Sequence, residues 1–306
     1  MTILIGLAPG QKDDASVHLG GMLSRSTGED VIVLAVVPAP WPPDPYQADK
    51  EYLAHLEGRA NKALTRAQTY LRSGTPGVET LLLQAESVAA GLLQVIEERR
   101  VSSVALGSSS TGLLGRVMLG GVAERILHAT ELPVIIAPRA FHEGNATRVS
   151  RVSVAFGRAD HDGGLVARAA AAAQSMSAQL RVVCFAVRPM ADYVGAMEPG
   201  NEQLVVGQWM KRLEDDIAAA LAAATPQPQP VGGHTATVTR VETVLGQGGS
   251  WAEALHDVAW SDGDLLVVGT STGPLSRFFL GSHAAKIVRN SPVPVMLLSR
   301  AHERPA

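Results

Sequence analysis

Five short apolar runs recur in the same order in the two halves of this 306-residue chain. The run TILIGLA at 2–8 is matched by VSVAFG at 152–157, and LPVIIAPR at 132–139 is matched by VPVMLLSR at 293–300. The offset between partners grows from about 150 residues at the first run to about 161 at the last, which one longer insertion explains. A repeat of this length is the size of a domain, so the chain is a tandem duplication rather than a solenoid of short repeats.

The repeated runs are rich in β-branched residues and alternate only weakly, which is typical of strands buried on both faces. Helical patterns lie between them, so each half is predicted to form a parallel sheet covered by helices on both sides. The fold class is therefore α/β, with two tandem five-stranded parallel-sheet domains. We place the first half at residues 1–147 and the second half at 148–306, because the polar segment AFHEGNATRVS at 140–150 separates the two repeats.

Composition excludes several classes of function. The net charge is −3 and no Lys/Arg-rich block is present, which argues against a nucleic-acid partner. No run of about 18 apolar residues exists, and the amino terminus lacks the basic region of a signal peptide, so a cytoplasmic protein without membrane contact is expected. Cys184 is the only cysteine and the histidines are scattered, so neither a disulfide within the chain nor a metal site is predicted.

A loop pattern also occurs twice, as GSSSTGLLGRVMLGG at 107–121 and GTSTGPLSRFFLGS at 269–282. Each copy begins where the fourth strand of its half ends, and ligands bind at this edge of parallel α/β sheets. Small residues let a backbone approach a ligand closely, and backbone N–H groups at a helix start suit a phosphate. The alternative is that glycine and serine merely form a tight connection between a strand and a helix.

The candidate phosphate-binding residues of this pattern are Gly107, Ser108, Ser110, Gly120 and Gly121 in the first half, and Gly269, Thr270, Thr272, Gly281 and Ser282 in the second. Arg116 and Arg277 occupy matching places four residues before the helix glycines and could approach a phosphate, although a solvated surface position is the alternative. The aspartates after the two first strands are expected to cap the following helices: Asp13, Asp14 and Asp160.

The second loop also reads as G-x-S-x-G, the nucleophile elbow of α/β-hydrolases, with Ser271 at the serine. That fold needs an acid and then a histidine after the serine, but no aspartate follows Ser271, and Glu303 lies after His283 and His302. No Walker A lysine follows either loop, which excludes a P-loop NTPase. No catalytic residue is therefore predicted.

The ordered strands, the glycine loops and the Pro-Val strand that follows each loop helix, here ELPVIIAP and SPVPVMLLS, resemble the tandem universal stress proteins over nearly the whole chain. The resemblance implies a Rossmann-like fold of the adenine nucleotide α-hydrolase type. Many members carry G-x2-G-x9-G-(S/T) after the fourth strand, where it binds the phosphates and ribose of ATP. The resemblance further implies that the two halves pair as a pseudo-dimer through their last strands and that whole chains could form a homodimer.

Both copies depart from that family motif. The first has the right spacing, but Ser110 stands at the middle glycine and Gly121 at the final hydroxyl residue; the second keeps Gly281-Ser282 but has Thr272 at the middle glycine and a loop one residue shorter. Ala8 and Gly157 stand where nucleotide-binding members usually have an acidic residue. Two functions stay open: a non-enzymatic stress-response module that binds ATP or AMP, and an interaction module whose pockets no longer bind nucleotide.

Overall fold

A computed structural model describes residues 1–9, 14–38, 47–157, 164–187, 211, 215, 218–219, 241–273 and 276–299. In the first half, strands and helices alternate as the sequence predicts. Their bounds are β1 Thr2–Leu7, α1 Ala15–Thr27, β2 Asp30–Pro38, α2 Gln47–Leu71, β3 Val78–Ala85, α3 Val88–Glu98, β4 Val101–Gly107, α4 Gly121–Ala129 and β5 Val134–Ala137.

The described elements of the second half follow the same order and add one short strand, while most of the chain between its second and third strands lies outside the described residues. The bounds of its described elements are β6 Arg151–Ala155, α5 Gly164–Ser175, β7 Gln179–Val187, β8 Glu242–Gly248, α6 Trp251–Asp257, β9 Asp264–Gly273, β10 Ser276–Phe279, α7 Ser282–Asn290 and β11 Val295–Ser299. The five predicted strands are all present, and β10 is an addition that pairs with β9 in antiparallel fashion.

All strands except β10 lie in one path with the order β3-β2-β1-β4-β5-β11-β9-β6-β7-β8. Neighbouring strands within each half are parallel. The chain leaves β1 toward β2 on one side and returns to β4 on the other, so the β1/β4 pair is a point where the strand order reverses. A crevice opens at the carboxyl ends of such a pair and is the usual ligand position in open α/β sheets.

The fifth strands join the two halves. β5 and β11 run antiparallel, with Val295 opposite Ile136 and Leu297 opposite Val134. Every residue of β5 is buried. This pairing removes two sheet edges that would otherwise expose unpaired backbone groups and apolar side chains.

Two hydrophobic layers cover the faces of the sheet and run through both halves. Successive residues of a strand point to opposite faces, so Ile3 and Ile5 belong to one layer and Leu4 to the other. The first layer contains buried residues of α1, α2 and α5, and the second contains those of α3, α4, α6 and α7. The many Ala, Val, Leu and Ile residues of the chain therefore form two hydrophobic layers, one on each face of the sheet.

Helix α1 lies very close to β1 because of Gly20. A Cβ atom added there would stand 2.2 Å from Cδ1 of Ile5, a distance that real structures do not tolerate. The helix ends at Gly28, whose φ of 75° is in the left-handed region and whose N–H donates to the carbonyl of Ser24. A glycine with this geometry is a common helix terminator.

The segment between the halves is held against α1. The Arg25 guanidinium pairs with Glu143 and donates from Nε to the Thr147 carbonyl at 2.8 Å. The hydroxyl of Ser26 accepts a hydrogen bond from the Val149 N–H, also at 2.8 Å. Residues of the polar segment that separates the two repeats in the sequence thus make specific contacts with α1.

Candidate functional site

A cavity of about 380 Å³ lies at the carboxyl end of the β1/β4 pair in the first half. Volumes of roughly 300–1,000 Å³ are usual for small-molecule sites. The cavity is lined by the end of β1, the first turns of three helices, and the end of β4 with its loop: residues 6–9, 16, 88, 92, 106–110 and 120–123. The cavity is lined by all five candidate phosphate-binding residues that the sequence predicts in the loop of this half: Gly107, Ser108, Ser110, Gly120 and Gly121.

None of the described lining residues of the cavity is charged, so an anion could be attracted there only by backbone amides and hydroxyl groups among these residues. Helix α4 begins after Gly120, and no side chain caps this start. The backbone nitrogen of Ser16, in the first turn of α1, lies 3.9 Å from the position that a Cβ of Gly107 would take. Uncapped helix starts carry a partial positive charge and free N–H groups, which is the arrangement that suits an anion.

Helix α1 does not begin as the sequence predicts. Asp14 stands at its start, but the carboxylate makes no capping hydrogen bond, and only the backbone carbonyl accepts from Val17 and His18. The side chain lies 3.9 Å from Arg66 instead. The expected caps Asp13 and Asp160 lie outside the described residues. The consequence for the site is that the Asp14 carboxylate does not occupy the start of α1.

The hydroxyl of Ser108 holds the loop in place and does not point to a ligand. It donates to the Ala137 carbonyl at 2.8 Å, accepts from the Met118 N–H at 3.0 Å, and leaves Ser108 only 5% exposed. Thr270 does the same in the second half: its hydroxyl donates to the Leu298 carbonyl at 3.3 Å and the residue is 1% exposed. The hydroxyls of these two predicted ligand-binding residues therefore bond backbone carbonyls of the fifth strands, β5 and β11, because a buried hydroxyl needs an internal partner.

Arg116 also turns away from the cavity. Its guanidinium donates to the carbonyl of Asn290, the last residue of α7 in the second half. The last carbonyls of a helix lack internal partners and carry the negative end of the helix dipole, so a cation is stabilised there. The predicted approach of Arg116 to a phosphate is replaced by a contact between the halves. The side chain of Arg277 lies outside the described residues.

The loop after the fourth strand differs in the second half. β9 continues through Gly273 and pairs with β10, with Ser276 opposite Gly273 and Phe279 opposite Ser271. Gly269 lies within this longer strand rather than at its predicted end, and Thr272 lies in the strand where the sequence predicts a loop. β-branched threonines and the Phe278-Phe279 pair favour extended backbone, and the two residues between the strands in the sequence are Pro274 and Leu275, of which proline favours a turn. Gly281 and Ser282 do begin the next helix, as predicted.

Ser271 lies within β9 and pairs with β10, whereas a nucleophile elbow requires an immediate turn from strand to helix. The hydrolase hypothesis thus loses its structural basis. Among the described residues, no group of His, Cys, Asp or Glu is arranged to hold a metal ion. The described helices also include none that is both long and apolar enough to cross a bilayer.

Several cavity residues had no signal in the sequence. Leu7, Val88 and Leu92 form apolar walls, and Ser109 faces Gly120 at 3.5 Å from the position of an added Cβ. Apolar residues at a strand end or a helix start look like ordinary core positions in sequence. Only the adjacency of β1 to β4 could identify them as cavity walls.

The fold and the crevice define a class: two tandem Rossmann-like α/β domains, each with its strand order reversed at the β1/β4 position. The model of the Universal stress protein family matches residues 1–138 and 149–299. A universal stress protein from Mycobacterium tuberculosis is 33% identical over 302 residues, covering 97% of this chain and 99% of that protein. The chain belongs to the universal stress protein family.

Solved structures share the whole tandem arrangement. A universal stress protein from Archaeoglobus fulgidus superposes with a TM-score of 0.61 at 16% identity, covering 98% of each chain. A functionally unknown protein from Pseudomonas aeruginosa gives a TM-score of 0.58 at 13% identity, covering 98% of this chain and 92% of that one. At these identities the likeness concerns the fold.

Proposed function

We propose that this universal stress protein is a non-enzymatic stress-response module that binds an adenine nucleotide, ATP or AMP, in the cavity of its first half. The observation that carries the proposal is the convergence of the uncapped α4 start and the α1 start on one cavity, whose described lining residues are all uncharged. Such amides bind a phosphate through several N–H groups at once. Family membership supplies the second support, because many members bind ATP at this loop.

The walls of the cavity suit the remainder of a nucleotide. Leu7, Val88, Leu92 and Leu106 provide apolar surface, while the hydroxyl of the exposed Ser110 stands at the loop. A base and a ribose need such a mixture of apolar contact and a few polar groups. The described lining contains no carboxylate, so none of the described residues of the cavity offers the ligand type that magnesium prefers.

A second candidate is an interaction module that does not bind nucleotide. The observation that favours it is the loop tip, where Leu113 is 77% and Leu114 is 70% exposed. Two adjacent leucines in water are unusual in a protein without a partner at that place. The departures from the family motif at Ser110 and Gly121 are compatible with this alternative.

One experiment separates the two candidates. Purified protein is denatured, and the released small molecules are identified by chromatography and mass spectrometry; calorimetric titration with ATP, AMP and adenosine follows. Nucleotide in near-stoichiometric amount, or saturable binding on titration, supports the proposal. Absence of both supports the interaction module.

A matched pair of variants tests the electrostatic argument. Val88 lines the cavity and is only partly buried, so a polar side chain is tolerated there. Val88→Asp places a carboxylate in the cavity that repels the phosphates, whereas Val88→Asn has the same shape without charge. We expect the aspartate variant to bind ATP at least about tenfold more weakly than the asparagine variant, about 1.4 kcal/mol, with adenosine binding nearly equal between the two variants. Equal ATP affinities of the two variants would contradict an anion site in this cavity.

A further inference from the structure

The two halves differ in the side chains at the starts of the two helices that flank the cavity. Helices α3 and α6 begin in the same way, since Ser87 accepts from the Ala90 N–H and Ser250 from the Glu253 N–H. Trp251 is therefore the counterpart of Val88. The starts of α4 and α7 also match, with Gly120 and Gly281 in the capping position, so His283 is the counterpart of Val122.

In the first half, Val88 and Val122 both line the open cavity. In the second half, the corresponding rings are in contact: the centroids of Trp251 and His283 are 5.2 Å apart and the ring planes are inclined by 38°. The space between the two helix starts, which is open in the first half, is thus bridged by an indole and an imidazole.

A third aromatic ring, that of Phe185, lies next to the Trp251–His283 pair. Phe185 lies 6.3 Å from Trp251, centroid to centroid, and occupies the place that Val36 has in the first half. Its neighbour on β8 is Gly246, where an added Cβ would stand 2.3 Å from the Ala254 carbonyl oxygen and 3.1 Å from the Phe185 ring, so the missing side chain leaves room for both helix α6 and this ring. The counterpart of Gly246 is Leu83, which pairs with Val36. The larger aromatic groups are accommodated by a smaller neighbour, as in any well-packed core.

We infer that the Trp251–His283 pair closes the second half to nucleotide, so that each chain binds one nucleotide, in the first half. The inference rests on the proposed function. It makes Trp251 and His283 determinants of where the nucleotide binds, and it explains why two copies of one domain need not give two equivalent sites.

The test is calorimetric titration of the full chain with ATP, using matched variants. Gly120→Val and Gly281→Val place the same isopropyl group at the starts of α4 and α7. The backbone there is extended enough for valine, and no atom of the described residues lies closer than 3.5 Å to the new Cβ. We expect one ATP per wild-type chain, at least a tenfold loss of affinity in Gly120→Val, and an unchanged isotherm in Gly281→Val. Two equivalent sites in the wild type, or a loss of binding in Gly281→Val, would overturn the inference.

A gain of binding tests the aromatic pair directly. Trp251→Val with His283→Val restores the first-half residues in the second half, and this pair is combined with Gly120→Val to silence the first. We expect ATP binding to reappear in a protein whose circular dichroism is that of the wild type. A folded triple variant without binding would show that something other than this pair closes the second half. Absence of nucleotide binding in the wild type and every variant would instead refute the proposed function, and the inference with it.

Discussion

Replacing Asp264 with asparagine should destabilise the second half by about 3–5 kcal/mol, the usual cost of removing one partner from a buried ion pair. The Asp264 side chain is fully buried and accepts two hydrogen bonds from Arg151, at 2.8 and 2.7 Å, and one from the Ser261 N–H at 2.9 Å. Arg181 approaches the same carboxylate at 3.5 Å and stacks on Trp260. Asparagine keeps the shape but leaves two guanidinium groups without their counter-charge.

The loss of stability in Asp264→Asn should be large because Arg181 is a buried cation beside the same carboxylate. This residue is 1% exposed, and one of its terminal nitrogens has no hydrogen-bond partner. Burial lowers the pKa of Arg181, but an arginine still carries its charge at neutral pH, so the charge cannot be lost to relieve the strain. A second variant, Arg181→Met with Asp264→Asn, removes the buried cation too and should recover part of the lost stability. Arg151 can then turn to water, because its side chain is 21% exposed.

Urea unfolding followed by tryptophan fluorescence measures these changes, since Trp260 contacts the network. At about 2–4 °C per kcal/mol, the melting temperature of the second half should fall by about 6–20 °C in Asp264→Asn. Ser102→Ala is the control in the first half. Ser102 is the counterpart of Asp264, is uncharged, and donates toward the Thr2 carbonyl and the Glu29 carboxylate, so its loss should cost about 1 kcal/mol. A loss below 1 kcal/mol in Asp264→Asn, or a double variant less stable than that single one, would refute the reasoning.

Three further predictions concern assembly, packing and pH. Separate halves, 1–147 and 148–306, should self-associate in light scattering because β5 and β11 lose their shared ladder; two monomeric halves would contradict this. Gly20→Ala should lower the free energy of unfolding by about 1–3 kcal/mol through overpacking against Ile5, whereas Gly58→Ala, whose new Cβ has no described neighbour within 4 Å, should raise it by up to about 1 kcal/mol. Burial lowers the pKa of His18 below its usual 6.5, so the unfolded chain binds a proton first and stability should fall as pH drops below about 6.5. His18→Gln should flatten that slope in urea titrations, and an unchanged slope would remove His18 as its cause.

The local sequence determined the repeated strand-helix order, the α/β class and the place of the glycine loops. Strands such as Thr2–Leu7 and Val101–Gly107 follow from short β-branched runs, and helix α4 begins at its predicted glycine. These features depend on residues close in sequence, whose side-chain pattern and backbone preferences are visible without a partner. The same reasoning could locate Gly107 and Gly120 at one edge of the sheet, because the carboxyl ends of parallel strands share that edge.

Tertiary structure decided what each side chain of the pattern does. The hydroxyl of Ser108 bonds a strand 29 residues away, and Arg116 bonds a helix end 174 residues away, so neither direction could be deduced from the loop itself. The contact between Trp251 and His283 likewise exists only because α6 and α7 lie side by side. Such contacts depend on strand order and register, which are set by the packing of the whole sheet. A sequence pattern determines which backbone segments lie near a ligand site. The hydrogen-bond partner of each side chain there depends on the tertiary packing around it.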